Sequence, residues 1–255
     1  MRRFPFICLL ALLWPSCSVK EARQDCPCLV EVDLQPFSEV SGVASLDLNG
    51  YRMERQLRDE DSLTVQRLLP AGDRFSIRVW SGVSRMRRDG TLLKVEEGTD
   101  CDSLFLFWTA LPGRQEQTRV QAWPRKQFAS VLLKVFPDED QPAPSRYTVR
   151  SNYASIDLNE GRPVPGRLRI PLAAGAAEHR FCLPRQARDG QLLLEADDGA
   201  GNHFAYPLGE WILAAGYDWT APDLADIVVG ADFMQGKFEV TVLEWEPGDM
   251  MRQML

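Results

Sequence analysis

The chain contains many short runs in which apolar and polar residues alternate, as they do in half-buried β-strands. Residues 29–34 alternate apolar with acidic positions, and residues 75–80 alternate apolar positions with serine and arginine. Successive side chains of a strand point to opposite faces, so each run buries one face and leaves the other polar. Residues 104–108 form a continuous apolar run instead, which predicts a strand buried on both faces.

The second half of the chain continues this pattern after residue 125. Residues 130–136 are a strong strand candidate. Two runs, residues 192–197 and 203–208, flank Asp198-Gly199-Ala200-Gly201 and predict a hairpin, because Asp-Gly suits turn positions with a positive φ. Other strands are predicted at residues 63–69, 118–122, 147–152, 167–170, 180–183 and 237–245.

Helical patterns are rare and confined to the C-terminal part of the chain. Only residues 209–215 and 222–227 predict helices, and both are short. Regularly spaced strands with few helices indicate an all-β sandwich or barrel, and the length fits two sandwiches of about 100 residues each. We predict an N-terminal β-sandwich domain at residues 17–125 and a C-terminal one at 126–255, with the proline- and acid-rich residues 137–145 as a loop of the second.

The N-terminus has the pattern of an export signal. Two arginines follow the initiating methionine, residues 4–14 are mostly apolar, and Cys17 follows a proline and a serine. The apolar run is too short for a transmembrane helix of about 20 residues, whereas it fits a secretory signal. The cysteine predicts a lipoprotein signal peptide at residues 1–16, with Cys17 lipidated. Trp14 and Pro15 depart from the usual lipoprotein pattern, so simple export with cleavage elsewhere is the alternative.

The net charge and the residue composition argue against nucleic acid, metal ions and cofactors as ligands. The net charge is −7, which argues against nucleic acid because phosphate backbones attract basic surfaces. The contents of 45% hydrophobic and 25% charged residues are ordinary for a globular protein. With only two histidines and no second cysteine pair to complete a zinc site, we predict no metal and no cofactor.

Four cysteines lie beyond the predicted lipidation site, namely Cys26, Cys28, Cys101 and Cys182. Export favours disulfides over thiolate zinc sites. Four thiols allow three fully paired connectivities. We expect a bridge from Cys26 or Cys28 to Cys101, which would hold the N-terminal segment against the first domain.

No arrangement of residues predicts catalysis. The Gly-x-Ser-x-Gly elbow of serine hydrolases is absent, and His179 and His203 are interpreted as solvated surface residues rather than members of a triad. The run Asp197-Asp198-Gly199 predicts a turn, because it lacks the spaced carboxylates and closing glutamate of a calcium loop. Any β protein of this size contains many aspartates and glutamates, so a carboxylate pair for glycoside hydrolysis is the open alternative. We nevertheless predict that the protein is not an enzyme.

Two residue groups have both a structural and a binding interpretation. The acidic group Asp218, Asp223, Asp226 and Asp232 is interpreted as helix N-caps, with cation binding as the alternative. The tryptophans stand mostly at apolar positions of predicted strands, so core packing is favoured over a carbohydrate platform.

Three segments carry a family resemblance. The opening is Cys17-Ser18-Val19-Lys20-Glu21 followed by Asp25-Cys26-Pro27-Cys28, and Cys101-Asp102-Ser103-Leu104 lies in the middle. The C-terminal stretch has Tyr206-Pro207-Leu208-Gly209-Glu210, then Gly216-Tyr217-Asp218-Trp219, Asp223-Leu224, Asp226-Ile227 and Glu244-Trp245. In these segments the chain resembles the fimbrial anchor-subunit lipoproteins of the Bacteroidales. The resemblance spans nearly the whole mature chain, and Cys182 is an extra cysteine.

The resemblance implies a fold and a function. The fold would be two tandem transthyretin-like β-sandwich domains. The protein would be held in the outer membrane through Cys17 and exposed at the cell surface, where it would anchor fimbriae and support adhesion. Its partners would be pilins, joined by strand exchange, a form of β-augmentation. We interpret Tyr217 and Trp219 as packing residues rather than a binding site. The alternative is a surface glycan- or protein-binding lipoprotein.

Overall fold

A computed structural model describes residues 26–58, 63–136, 146–197, 200–233 and 237–245 of the 255-residue chain. These residues form β-sheets with only two short helices, which confirms the predicted all-β sandwich class. The predicted signal peptide, Cys17 and the loop at 137–145 lie outside the described residues. We call residues 26–126 the first half of the chain and residues 127–245 the second half.

The first half contributes two sheets. Its strands are β1 (Cys28–Asp33), β2 (Val43–Leu48), β3 (Tyr51–Gln56), β4 (Thr64–Leu69), β5 (Arg74–Ser81), β6 (Arg87–Asp89), β7 (Leu92–Lys94), β8 (Phe105–Pro112), β9 (Gln117–Gln121) and β10 (Arg125–Lys126), with helix α1 (Gln35–Ser38) after β1. One sheet has the order β4-β1-β9 and the other β10-β8-β5-β2-β3. The strand β1 lies antiparallel to β4 and parallel to β9.

The second half also contributes two sheets. Its elements are β11 (Phe128–Val135), β12 (Arg146–Asp157), β13 (Pro163–Leu172), β14 (Glu178–Pro184), β15 (Leu193–Asp197), β16 (His203–Tyr206), α2 (Leu208–Ala214), β17 (Asp226–Asp232) and β18 (Lys237–Leu243). One sheet has the order β14-β11-β17-β18, and the other has the order β16-β15-β12-β7-β6 with β13 also paired to β12. The predicted hairpin is confirmed, because β15 and β16 pair antiparallel.

Alternation of side chains produces the core, as the sequence pattern predicts. On β1, Cys28, Val30 and Val32 are buried, and the residues between them are partly exposed. The strand β11 repeats this pattern from Val131 to Val135. The buried apolar residues of both halves belong to one hydrophobic cluster. Burial of a large aliphatic or aromatic side chain contributes about 1.5–3 kcal/mol, so this cluster is the main source of stability.

The predictions for residues 222–227, for residues 104–108 and for His179 are wrong. Residues 222–227 form no helix. Residues 222–225 precede strand β17, which begins at Asp226, packs beside β11 and alternates buried with partly exposed side chains. The strand β8 is buried on both faces only at its start, since Trp108 and the residues beside it are partly exposed. His179 is not a surface residue: it is 4% exposed and packs against the ring of Tyr147.

A hairpin from the first half lies on a sheet of the second. The strands β6 and β7 pair with each other, and β7 pairs antiparallel with β12 through Leu93 opposite Ile156. Leu93 and Ile156 are completely buried. The two halves therefore share a sheet, and residues 87–94 connect them through backbone hydrogen bonds.

Candidate functional site

The segment 216–227, where the family resemblance is strongest, begins just after α2. Gly216 has a φ of +84°, a left-handed conformation that glycine adopts without steric cost. The hydroxyl of Tyr217 donates to the carbonyl oxygen of Ala225 at 2.9 Å, and its ring lies 4.5 Å from that of Trp219. Tyr217 and Trp219 are 4% and 2% exposed, and burial raises the pKa of Tyr217 well above its usual value. These two rings therefore form part of the core.

Two carboxylates of this segment hold the chain where the two halves join. Asp223 accepts the backbone N–H of Lys126 at 2.8 Å and the guanidinium of Arg125 at 2.9 Å. Asp226 accepts the ammonium of Lys126 at 2.5 Å and the backbone N–H of Ser130 at 2.8 Å. Burial lowers the pKa of Lys126, and the hydrogen bond to Asp226 opposes that shift. We call this arrangement the junction cluster.

The interpretation of the acidic residues as helix caps is wrong. Among the described residues, the two helices span Gln35–Ser38 and Leu208–Ala214, and none of the four aspartates precedes either of them. Asp218 instead accepts the backbone N–H and hydroxyl of Thr220 at 2.9 and 2.7 Å, which is an Asx turn. Asp232 ends β17 opposite Lys237. Of the remaining motif residues, Leu224 and Ile227 are buried in the core.

A second buried carboxylate, Asp102, orders the chain that leads to the β6–β7 hairpin. Asp102 is 3% exposed and accepts three backbone N–H groups, from Ser84, Arg85 and Met86, at 2.6–2.9 Å. The hydroxyl of Ser84 and the guanidinium of Arg85 donate to its other oxygen at 2.8 and 3.1 Å. Burial alone would raise the pKa of Asp102, but these hydrogen bonds lower it overall.

Arg185 was missed by the sequence analysis. It is 6% exposed and follows β14 directly. Its guanidinium donates to the side-chain oxygen of Gln127 at 2.9 Å and to the carbonyl oxygens of Trp219 and Pro222 at 2.5 and 3.2 Å. Burial lowers the pKa of Arg185. A buried arginine has no signature in a single sequence, since arginine is ordinarily a surface residue.

The four cysteines are free thiols in the structure. Cys28 donates to the hydroxyl of Thr118 at 3.8 Å, whereas the Cys101 thiol contacts the carbonyl oxygen of Asp102 at 3.1 Å. The backbone N–H of Cys101 donates to the carbonyl oxygen of Cys182 at 3.1 Å, so Cys101 lies next to Cys182. The bridge from Cys26 or Cys28 to Cys101 stays a prediction, and a bridge from Cys28 would require both thiols to leave these contacts.

Thiol alkylation is expected to follow burial. Cys101 is fully buried and burial raises its pKa well above normal, and burial raises the pKa of Cys182 to about 11. Because only the thiolate reacts, iodoacetamide should modify the partly exposed Cys26 first and Cys101 last in the folded protein with all its thiols reduced. Peptide mass spectrometry over a time course measures the order, and denaturant should abolish the difference. Equal native rates for Cys26 and Cys101 would contradict the prediction.

The tryptophans divide between the core and the surface. Trp80 and Trp219 are buried, and Trp108, Trp211 and Trp245 pack partly buried against the core. Trp123 is 57% exposed and is the exception to the predicted core packing. Its exposure follows from its place between β9 and β10, outside both strands.

Several sheet edges of the described residues are protected against pairing with another chain. The strand β13 carries three prolines, which lack the N–H that a new partner strand needs. The strand β3 carries three charged residues, and Arg67 of β4 lies over the ring of Tyr51 of β3 at 3.3 Å. The backbone of Cys101 covers part of β14. Charges, prolines and covering segments are the usual defences of edge strands.

The edge strand β18 is less protected. Within the described residues it pairs only with β17. It has seven residues with one lysine, one glutamate and no proline, and Phe238, Val240 and Val242 are partly buried on one face. Leu243 on the opposite face is 46% exposed. A strand of this kind can accept a further strand through its backbone hydrogen-bonding groups.

Within the described ranges, no group of three or more histidine, cysteine, aspartate or glutamate side chains is placed to hold a metal ion. Across the same residues, no helix has the length and apolar content needed to cross a membrane.

No protein-family model matches the chain, and no curated protein matches it. Solved structures do match. A candidate polysaccharide-binding protein from Bacteroides thetaiotaomicron VPI-5482 aligns with a TM-score of 0.57 at 12% identity, covering 85% of this chain and 95% of that one. The fimbrial anchor protein Mfa2 from Porphyromonas gingivalis aligns with a TM-score of 0.55 at 14% identity, covering 86% and 98%. The chain shares their fold.

A third solved structure also shares the fold of the chain. A candidate adhesin from Bacteroides thetaiotaomicron VPI-5482 aligns with a TM-score of 0.54 at 9% identity, covering 86% of this chain and 97% of that one. Each of the three solved chains is covered almost completely. The likeness therefore concerns the complete arrangement of sheets rather than one sandwich alone.

Proposed function

We propose that the protein is a lipid-anchored outer-membrane subunit that anchors fimbriae and helps to assemble them, supporting cell adhesion. The observation that carries the proposal is the likeness to the fimbrial anchor protein Mfa2, which extends over 86% of this chain and 98% of that one. The lipoprotein signal predicted at residues 1–16, with Cys17 directly after it, supports a tether at the surface of the cell. The motif residues 216–227 serve this function by stabilising the junction between the halves.

Strand exchange with pilins is proposed to use β18. Its backbone edge has no strand on its outer side within the described residues, and its side chains offer little charge to repel a partner. A pilin strand added there would gain main-chain hydrogen bonds along seven residues, and the alternating side chains of β18 would select the partner. The proposed partners are therefore pilin subunits and the membrane, and nucleic acid and enzymatic substrates are not among them.

The anchoring proposal is tested by purifying the native protein from detergent-solubilised outer membrane and identifying by mass spectrometry what accompanies it. We expect pilin subunits, and we expect the Cys17→Ala variant to leave the membrane fraction because it lacks the acylated thiol. Cys26→Ala is the matched control, since it removes a cysteine beyond the signal. Membrane retention of Cys17→Ala, or recovery of glycan-uptake components in place of pilins, would contradict the proposal.

The assignment to β18 has a separate test. Thr241→Lys with Leu243→Lys places two charges at exposed positions of β18, which should reduce pilin recovery in the same purification while the thermal unfolding midpoint is unchanged. Leu68→Lys on the edge strand β4, where Leu68 is 65% exposed, is the control and should leave recovery unchanged. Equal losses in both variants would reject β18 as the exchange edge.

A further inference from the structure

A cleft with a volume of about 690 Å³ lies between the two halves of the chain. The first half contributes Trp108 of β8 and Arg125 of β10, and the second half contributes the turn at Gly161 and residues after β14 and α2. Sites for small ligands typically have volumes of about 300–1,000 Å³ and occur preferentially at domain interfaces. The cleft therefore has the size and place of a binding site.

The walls of the cleft carry an excess of positive charge. Four arginines and one glutamate line it, although the chain as a whole has a net charge of −7. Three of these arginines, which we call the rim arginines, each form an ion pair with one carboxylate. Arg125 contacts Asp223 at 2.9 Å, Arg162 contacts Glu160 at 3.0 Å and Arg188 contacts Asp218 at 3.5 Å. Their side chains are 50–76% exposed, so each guanidinium keeps N–H groups for a ligand.

The fourth arginine, Arg185, is buried and has no carboxylate partner among the described residues within ion-pair distance. Its three hydrogen bonds go to one amide oxygen and two carbonyl oxygens, all of them neutral. A guanidinium has five N–H groups, so two are not used by these bonds. Asp223 and Asp218 attract this charge without forming an ion pair with it. A carboxylate in the cleft could therefore still form direct, charged hydrogen bonds with the two remaining N–H groups.

The indole ring of Trp108 lines the same cleft as Arg185. Trp108 is partly exposed, and the edge of its ring is packed so closely on Gly161 that an added Cβ at Gly161 would lie 2.6 Å from it. Gly161 has a φ of +64°, which also favours glycine. The indole is therefore held in a fixed position at the cleft. A fixed indole offers an apolar face of the kind against which the C–H face of a pyranose packs.

We propose that the cleft binds an acidic sugar, with the carboxylate of a uronic acid residue bound by Arg185 and the rim arginines and the pyranose packed against Trp108. Arginine is suited to this role because its planar fork binds both oxygens of a carboxylate. A neutral sugar would give the two remaining N–H groups of Arg185 no charged acceptor. The proposal is independent of strand exchange, because the cleft does not include β18.

The test is isothermal titration calorimetry of the purified protein with trigalacturonate, with the neutral maltotriose as the comparison. We expect binding of trigalacturonate that weakens as salt is added, and no heat from maltotriose. The double variant Arg162→Ala/Arg188→Ala should bind trigalacturonate at least about tenfold more weakly. It lacks two guanidinium groups, whose charged hydrogen bonds to the sugar would supply a large share of the binding free energy. Both side chains are mostly exposed, so the fold should be unaffected.

Arg114→Ala is the matched control, because Arg114 is 63% exposed, pairs with Asp73 and does not line the cleft. It should bind trigalacturonate like the unaltered protein. Arg185→Lys keeps the charge but loses the planar fork, and should also weaken binding at least about tenfold if its unfolding midpoint is preserved. Absence of trigalacturonate binding, equal binding of maltotriose or of a triglutamate peptide, or equal losses in Arg114→Ala and the double variant would overturn the proposal.

Discussion

Asp226→Ala is expected to lower the free energy of unfolding by about 3–5 kcal/mol, because it leaves a buried charge without its partner. The ammonium of Lys126 lies 2.5 Å from Asp226 and its side chain is only 2% exposed. The backbone N–H of Ser130 would also lose its acceptor. Urea unfolding followed by tryptophan fluorescence measures the change. The effect would be larger than that of an ordinary surface ion pair, which contributes about 0–1 kcal/mol.

The double variant Lys126→Met/Asp226→Asn should recover most of this loss. Methionine removes the buried charge, and asparagine keeps an acceptor for the N–H of Ser130. Replacement of a buried ion pair by neutral groups of similar shape is often tolerated, whereas removal of one partner is not. Glu178→Ala is the control, since its ion pair with Lys134 at 3.7 Å is solvent-exposed on both sides. A double variant as unstable as Asp226→Ala would show that the charge on Lys126 is not the cause.

Asp102→Asn is expected to lower the free energy of unfolding by about 2–4 kcal/mol, because hydrogen bonds to a buried charged group contribute more than neutral ones. The carboxylate accepts five hydrogen bonds from residues 84–86. An amide would replace one of the two oxygens by an NH2 group, which would face at least two of the N–H or O–H donors that this oxygen now accepts. The same measurement by urea unfolding applies. Asp89→Asn, at an exposed ion pair with Lys94, is the control and should change stability little.

The lowered pKa of Asp102 also determines how the stability of the protein should depend on pH. The folded-state pKa of Asp102 lies below its ordinary value, and Asp47, buried among three arginines and the backbone N–H of Gly50, is shifted in the same direction. Their contribution is fully present above the unfolded pKa of about 3.9 and is lost as the pH falls through the folded values. The urea midpoint should therefore fall at acid pH, and by less in Asp102→Asn. An acid dependence that is identical in this variant would contradict the assignment to Asp102.

Local pattern was sufficient to predict most strands. The runs at residues 29–34, 75–80 and 130–136 became β1, β5 and β11 because alternation is a property of neighbouring residues and a sheet buries one face of each strand. The remaining elements depended on which residues pack against them in the folded protein. Residues 222–227 have a short apolar pattern that fits a helix, but pairing with β11 makes a strand of the chain from Asp226 onward. Asp223 and Asp226 likewise gain their roles from Lys126, about a hundred residues earlier in the chain.

The sequence by itself determined the all-β class and the place of most of the longer strands. Only the tertiary structure decided that the β6–β7 hairpin pairs with β12, that Arg185 is buried with neutral acceptors, and that a cleft lined by arginine lies beside Trp108. The physical reason is that burial and partner choice for these residues depend on contacts between residues far apart in the chain. Side-chain alternation reports which face of a strand is apolar, but not which surface will cover it.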